Sequence, residues 1–163
     1  YKRQGCPTGV SGGEEMIVVD TSVFIDALFE YEEDRTKLAK RFFREIQEKN
    51  LPIVEPDIFK IELIGQLVRR MSKEEAMALY ELIIENVEIA EMGKLGEVSF
   101  EIALQTGCRA IGSFYIAVSH STNSILVSND KFQVESARKY GVKSFYLLKE
   151  FDHLEKYLNK AGD

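Results

Sequence analysis

MIVVDTSVFIDALF, residues Met16 to Phe29, is the stretch whose reading decides the fold. Four apolar residues run straight into Asp20, and after Thr21 and Ser22 the apolar residues return at helical spacing. A short apolar run rich in β-branched residues marks a parallel strand covered on both faces. The stretch therefore predicts a buried strand that ends on a carboxylate and passes at once into a helix. In open α/β sheets, ligands bind beyond the carboxyl ends of the strands, and Asp20 stands at such an end. Asp, Thr and Ser are also good helix caps, so this stretch alone leaves capping and chemistry as equal readings of Asp20.

A chain of 163 residues, 45% hydrophobic and 29% charged, suits one domain with a core that needs no disulfide. There are 20 Glu but only 7 Asp, which makes an Asp directly after an apolar strand less easily a coincidence. The net charge of −6 excludes a broad basic face. Contact with nucleic acid would need a local basic patch, bound cations or a basic partner. Cys6 and Cys108 are far apart, form no ligand pattern, and fit free thiols in a reducing cytoplasm. No apolar run approaches the roughly 18 residues of a membrane span, and none resembles a signal-peptide core. Residues 1–15, rich in Gly and polar residues without apolar period, are expected to be a leader outside the fold. They fit a tail or translated upstream sequence before a native start at Met16, which N-terminal sequencing of the natural protein would decide.

Outward from the opening stretch, residues 16–163 alternate between strands and helices. Leu38, Ala39, Phe42, Phe43 and Ile46 give a helical face between Glu32 and Asn50. Leu51 to Val54 predicts a second strand, and Pro56 is expected to open a helix with an apolar face of Ile58, Ile61, Leu63, Ile64, Leu67 and Val68. Ser72 and Glu75 form a capping-box pattern for a helix reaching Ile84. Val87 to Met92 predicts a third strand, Glu97 to Gln105 a helix, and Gly112-Ser113 the start of another. Ile125 to Ser128 predicts a fourth strand running into Asn129 and Asp130. A helix over 131–139, a strand over 144–148 and a helix over 151–158 close the chain. The alternation predicts a three-layer α/β/α sandwich around a mostly parallel, roughly five-stranded sheet.

Two strands thus end in a carboxylate with small polar neighbours, at Asp20 and at Asp130. In a parallel sheet both ends lie on one edge, where two carboxylates repel unless one is protonated or a cation lies between them. Oxygen ligands without His or Cys select a hard cation such as Mg²⁺ or Mn²⁺. Glu62 shares the apolar side of its helix, which is either an inward acid or a partly exposed residue at the stripe edge. Asp57 fits a cap or dipole partner, and Asp26 could face the same cleft as Asp20.

MIVVDTSVFID, the Glu within PDIFKIEL, and LVSND together resemble the PIN-domain family, especially its VapC-type toxin ribonucleases. The resemblance covers 16 to about 158. It implies a small α/β/α domain that cuts RNA using Mg²⁺ or Mn²⁺ held by acids, with Asp20, Glu62 and Asp130 as catalytic and metal-binding residues. Ser22 would support the first acid, and Asn129 or Ser128 the last. An antitoxin protein and a homodimer are the implied partners. One family acid is missing: its position falls on Gly112, followed by Ser113, which with Gly112 still permits a helix start. Hydrolysis would use a cation that polarises the phosphorus and lowers the pKa of an attacking water. The alternative is a degenerate domain that binds RNA or a protein without cutting. No GxxxxGK[ST] loop points to ATP. Ser22 stands where an aspartyl-phosphate phosphatase wants a second Asp, and VEIAEM lacks a receiver's terminal Asp. His120 and His153 have no ligand spacing. The basic groups Arg69, Arg70 and Lys73, and Lys131, Arg138 and Lys139, suit solvated helix ends better than a substrate site.

Overall fold

The computed structural model describes residues 15–91, 93 and 95–161. The leader, including Cys6, otherwise lies outside the described residues. Five strands form the centre: β1 (Ile17–Val19), β2 (Val54–Pro56), β3 (Glu88–Ala90), β4 (Ile125–Ser128) and β5 (Ser144–Tyr146). β1, β4 and β5 make one parallel sheet in the order β1-β4-β5, and β2 pairs in parallel with β3. A parallel bridge from Ile17 to Ile53 joins the two, giving the spatial order β3-β2-β1-β4-β5. The chain therefore reverses its direction of travel across the sheet at β1, the switch point where such folds open a crevice. Ile17, Val18 and Val19 are each 0% exposed, as expected of a strand covered on both faces.

Eight helices are present among the described residues: α1 (Thr21–Leu28), α2 (Glu33–Glu48), α3 (Ile58–Leu67), α4 (Lys73–Ile84), α5 (Leu95–Thr106), α6 (Ala110–Thr122), α7 (Lys131–Tyr140) and α8 (Leu147–Ala161). α6 packs on β1, β2 and β4 and carries α5 and α7 beside it. α1 packs on β4 and joins α2 and α3, and α8 packs on β5 and α2. Helices thus cover both faces of the sheet, the three-layer arrangement. Phe42, Phe59, Leu63, Tyr115, Ile116 and Leu126, all fully buried, fill the two interfaces. Ser72 and Glu75 form the reciprocal capping box of α4. Gly141 closes α7 at φ 94°, a conformation glycine adopts without a Cβ penalty.

Three local expectations shift. β2 lies three residues later than the apolar run suggested, and Pro56 ends it instead of opening a helix. The residue before proline is driven to extended backbone, which keeps Glu55 in the strand and leaves Asp57 to precede α3. Ile61 on α3 and Val68 just after it are exposed, while Phe59, Leu63 and Leu67 face the core. α6 begins at Ala110 after an extended Arg109, not at Gly112. Ser113 donates to the Ala110 carbonyl inside the helix, so it caps nothing. α8 starts at Leu147, four residues before the predicted helix, with a kink at Glu150.

Candidate active site at the switch point

Asp20 leaves the end of β1 and precedes α1. Its Oδ2 accepts from the Ser22 backbone N–H at 3.1 Å and from the Ser22 hydroxyl. It caps α1 and also lines a cleft of about 1080 Å³. Burial pushes the Asp20 carboxyl up to about 6 against the lowering effect of the Ser22 hydroxyl, and the charge of Glu62 adds to the rise.

Glu62 comes from α3, half-buried on the same cleft. Its Oε1 accepts from the Tyr115 hydroxyl at 3.0 Å, and that hydroxyl also lies 2.6 Å from Thr21 Oγ1. Tyr115 is fully buried on α6 and thus ties the α1 start to α3 through one oxygen. Burial, with the charges of Asp20, Glu55 and Glu62, drives its phenol far above the ordinary range. Glu55 is the unexpected member of this group. It is 0% exposed within β2; its Oε1 accepts the Val19 N–H at 2.9 Å, and its Oε2 has no partner. Burial holds its carboxyl well above the usual range, and Asp20 and Glu62 raise it further.

Asp130 follows β4 and caps α7, with Oδ1 accepting from the Phe132 and Gln133 N–H groups. Ser128 accepts the Asp130 N–H at 2.9 Å. Asn129 donates its backbone N–H to Ser22 and its side-chain amide to Asp26 at 2.6 Å, stitching the two strand ends together. Asp26 also pairs with Arg35 at 3.0 Å. Asp20, Glu62, Asp130, Asp26 and Gly112 all line the one cleft, with Arg35, Arg70 and Arg109 among its cations. Ser113 does not line it. Gly112 lies in the first turn of α6 against Cys108, Gln133 packing nearby.

Sequence reasoning missed Glu55, Tyr115, Arg35 and Arg109 as parts of this region, and it read Arg70, which also lines the cleft, as a solvated helix end. Glu55 carried a signal: it is a lone acid between Val54 and Pro56 in an otherwise apolar strand. Tyr115 carried none, since FYIAV reads as core, which it also is.

The donor chemistry fits a hard divalent cation. Asp20 and Glu62 repel each other, and the hydrogen bonds of the described residues engage one oxygen of Glu62 and one of Asp130, leaving the second. The spacing is open: among the described residues, no three His, Cys, Asp or Glu side chains form a ready metal-holding group.

A parallel α/β sandwich with an acid-lined cleft at the reversal of its strand order defines the class of this protein. The PIN domain family model matches residues 17–139, and the chain belongs to that family. Its fold is similar to that of PAE2754 from Pyrobaculum aerophilum, with TM-score 0.59 and 16% identity over 91% of this chain and 90% of that one. It is similar also to the DNA-bound VapBC of Salmonella typhimurium, at TM-score 0.63 and 15% identity over 80% of this chain and 97% of that one. FitAcB of Neisseria gonorrhoeae gives TM-score 0.62 and 14% identity over 82% and 99%. No curated protein matches the chain in sequence. No helix among the described residues is long and apolar enough to cross a membrane.

Proposed function

We propose that this protein is a Mg²⁺- or Mn²⁺-dependent endoribonuclease of the VapC toxin type, working in the cytoplasm. The observation that carries the reading is the cleft that gathers Asp20, Glu62 and Asp130 at the carboxyl ends of β1 and β4, beside Arg35, Arg70 and Arg109. Asp20, Glu62 and Asp130 would hold the cation, which would supply Lewis-acid activation of the phosphodiester and of an attacking water. Ser22 and Asn129 fix the two strand ends against each other, and Tyr115 orients Glu62. The arginines draw the RNA backbone into a protein that is acidic overall, supplying locally the positive charge that net −6 withholds. An antitoxin partner is proposed from the VapBC and FitAcB likeness. A homodimer is proposed because Phe100 and Leu104, 71% and 75% exposed and one turn apart on α5, form an apolar strip that a second copy could cover.

Gly112 supports a second reading, a domain that binds RNA or a protein without cutting, since it removes one anionic ligand. Incubation of mixed-sequence RNA oligonucleotides with Mn²⁺, with Asp20→Asn as control, separates the two. Cleavage by the natural protein and at least a hundredfold less by the variant is expected. Equal cleavage by both would sink the acidic-site mechanism, and none by either would favour binding alone.

A further inference from the structure

Where the family acid is missing, the cleft wall is built from hydrogen-bond donors. α6 is 13 residues long, and Arg109 before it makes no side-chain cap. The first backbone acceptor used within the helix is taken by Ser113 N, which bonds to Arg109 O at 2.9 Å. The N–H groups of Ala110, Ile111 and Gly112 therefore have no partner in the helix and stand at its positive end. Independently of the helix, Gln133 on α7 is 5% exposed, lines the same cleft, and has its Oε1 occupied by the Ser128 hydroxyl while its Nε2 has no partner. A Cβ placed on Gly112 would lie 3.6 Å from Gln133 Cγ, so the amide-bearing side chain packs directly beside the helix start. Arg109 is exposed, lines the cleft, and takes part in none of the ion pairs among the described residues. An orphan buried amide donor costs free energy until something accepts from it. Three free backbone N–H groups, an arginine and an unpartnered amide all seek an oxyanion.

We propose that the first turn of α6, with Arg109 and Gln133, is a phosphate seat that binds a backbone phosphate of the RNA strand adjacent to the one cleaved. The proposal rests on the nuclease reading for the identity of the strand. Loss of the family carboxylate at Gly112 removes the charge that would repel this phosphate, and so exchanges a metal ligand for a substrate contact. Asp130 is the nearby carboxylate on the cleft; burial raises the Cys108 thiol and the Asp130 charge adds to the rise, and that charge sets the limit on how tightly a bare anion is held.

The test is amide NMR on the full chain in chelator, so that no cleavage occurs. Titration with inorganic phosphate is expected to move the Ala110, Ile111 and Gly112 amides and the Gln133 side-chain NH₂ along one binding curve. Arg109→Gln is expected to weaken that curve about tenfold, as loss of a charge-assisted contact would. Gln133→Leu, which leaves the helix intact, is expected to weaken it severalfold. Gly112→Asp is expected to abolish it, and a folded Arg109→Gln result keeps the test decisive should the new Cβ, 2.9 Å from Cys108 Sγ, disturb the fold. A single-stranded RNA oligonucleotide should move the same amides. Phosphate shifts without RNA shifts would overturn the strand assignment, and unmoved amides would overturn the seat itself. Because none of these readings involves cleavage, a protein that binds phosphate here but leaves RNA uncut would refute the nuclease and keep the seat.

Discussion

Asp20 carries two loads, and its ionisation ties them together. Its folded pKa of about 6 lies above the ordinary 3.8, so the folded protein binds the proton more tightly than the unfolded chain does. Stability contributed by the neutral form is complete below the ordinary value and is lost as pH rises through about 6, at a cost of about 3 kcal/mol. In the metal-free protein, Asp20→Asn should therefore raise stability at pH 7.5 by about 1–3 kcal/mol in urea denaturation while removing cleavage. The same ionisation should shape metal uptake: below about pH 6 the Mn²⁺ affinity should fall about tenfold per pH unit as the proton competes for Asp20, and a flat profile would mean that Asp20 is not the titrating acid. Tyr115→Phe leaves Thr21 and Glu62 without their shared hydroxyl and should cost about 1–3 kcal/mol in thermal or urea melts. Asp20 was visible in the sequence because it follows four apolar residues. Its pairing with Glu62 was legible only as a possibility, since an acid on an apolar helix face can equally sit at the stripe edge.

At the level of elements, the join between β1 and β2 is the weak point in the sheet. The Glu55 side chain, not a backbone carbonyl, satisfies the Val19 N–H. Glu55→Ala should orphan that donor and cost about 1–3 kcal/mol, whereas Glu55→Gln, which keeps an accepting oxygen, should stay within about 1 kcal/mol of the natural protein. Urea midpoints of the two variants compare them directly. On α4, where the capping box is complete, Ser72→Ala should cost about 1 kcal/mol by the same measurement. The capping box could be read in advance because both of its residues are local in sequence. The start of α6 could not: Gly112-Ser113 offered acceptable caps, but Gly107 at φ 72° ends α5 early enough for the next helix to begin at Ala110. β2 moved for a similar reason, because the strand that pairs with β3 is set by partners some thirty residues away.

The whole molecule places its chemistry through strand order. With β1 between β2 and β4, the chain reverses its progress across the sheet there, and the cleft opens beyond the carboxyl ends of β1 and β4. The alternation of elements made this layering legible, since a parallel sheet with covered faces leaves a continuous apolar run in every central strand. The sequence placed Asp20 and Asp130 on one sheet edge, but residue spacing did not reveal that Glu62 joins them on one cleft, because α3 reaches it through tertiary packing on α1 and the Tyr115 hydroxyl of α6. A single cation shared by these three acids is the heart of the proposed chemistry. Mn²⁺ titration at pH 7.5, followed by the paramagnetic signal of free ion, probes it in the natural protein and in Asp20→Asn, Glu62→Gln and Asp130→Asn. Saturable Mn²⁺ binding is expected in the natural protein, weakened at least tenfold by each substitution. Undiminished binding in all three variants would contradict a shared site.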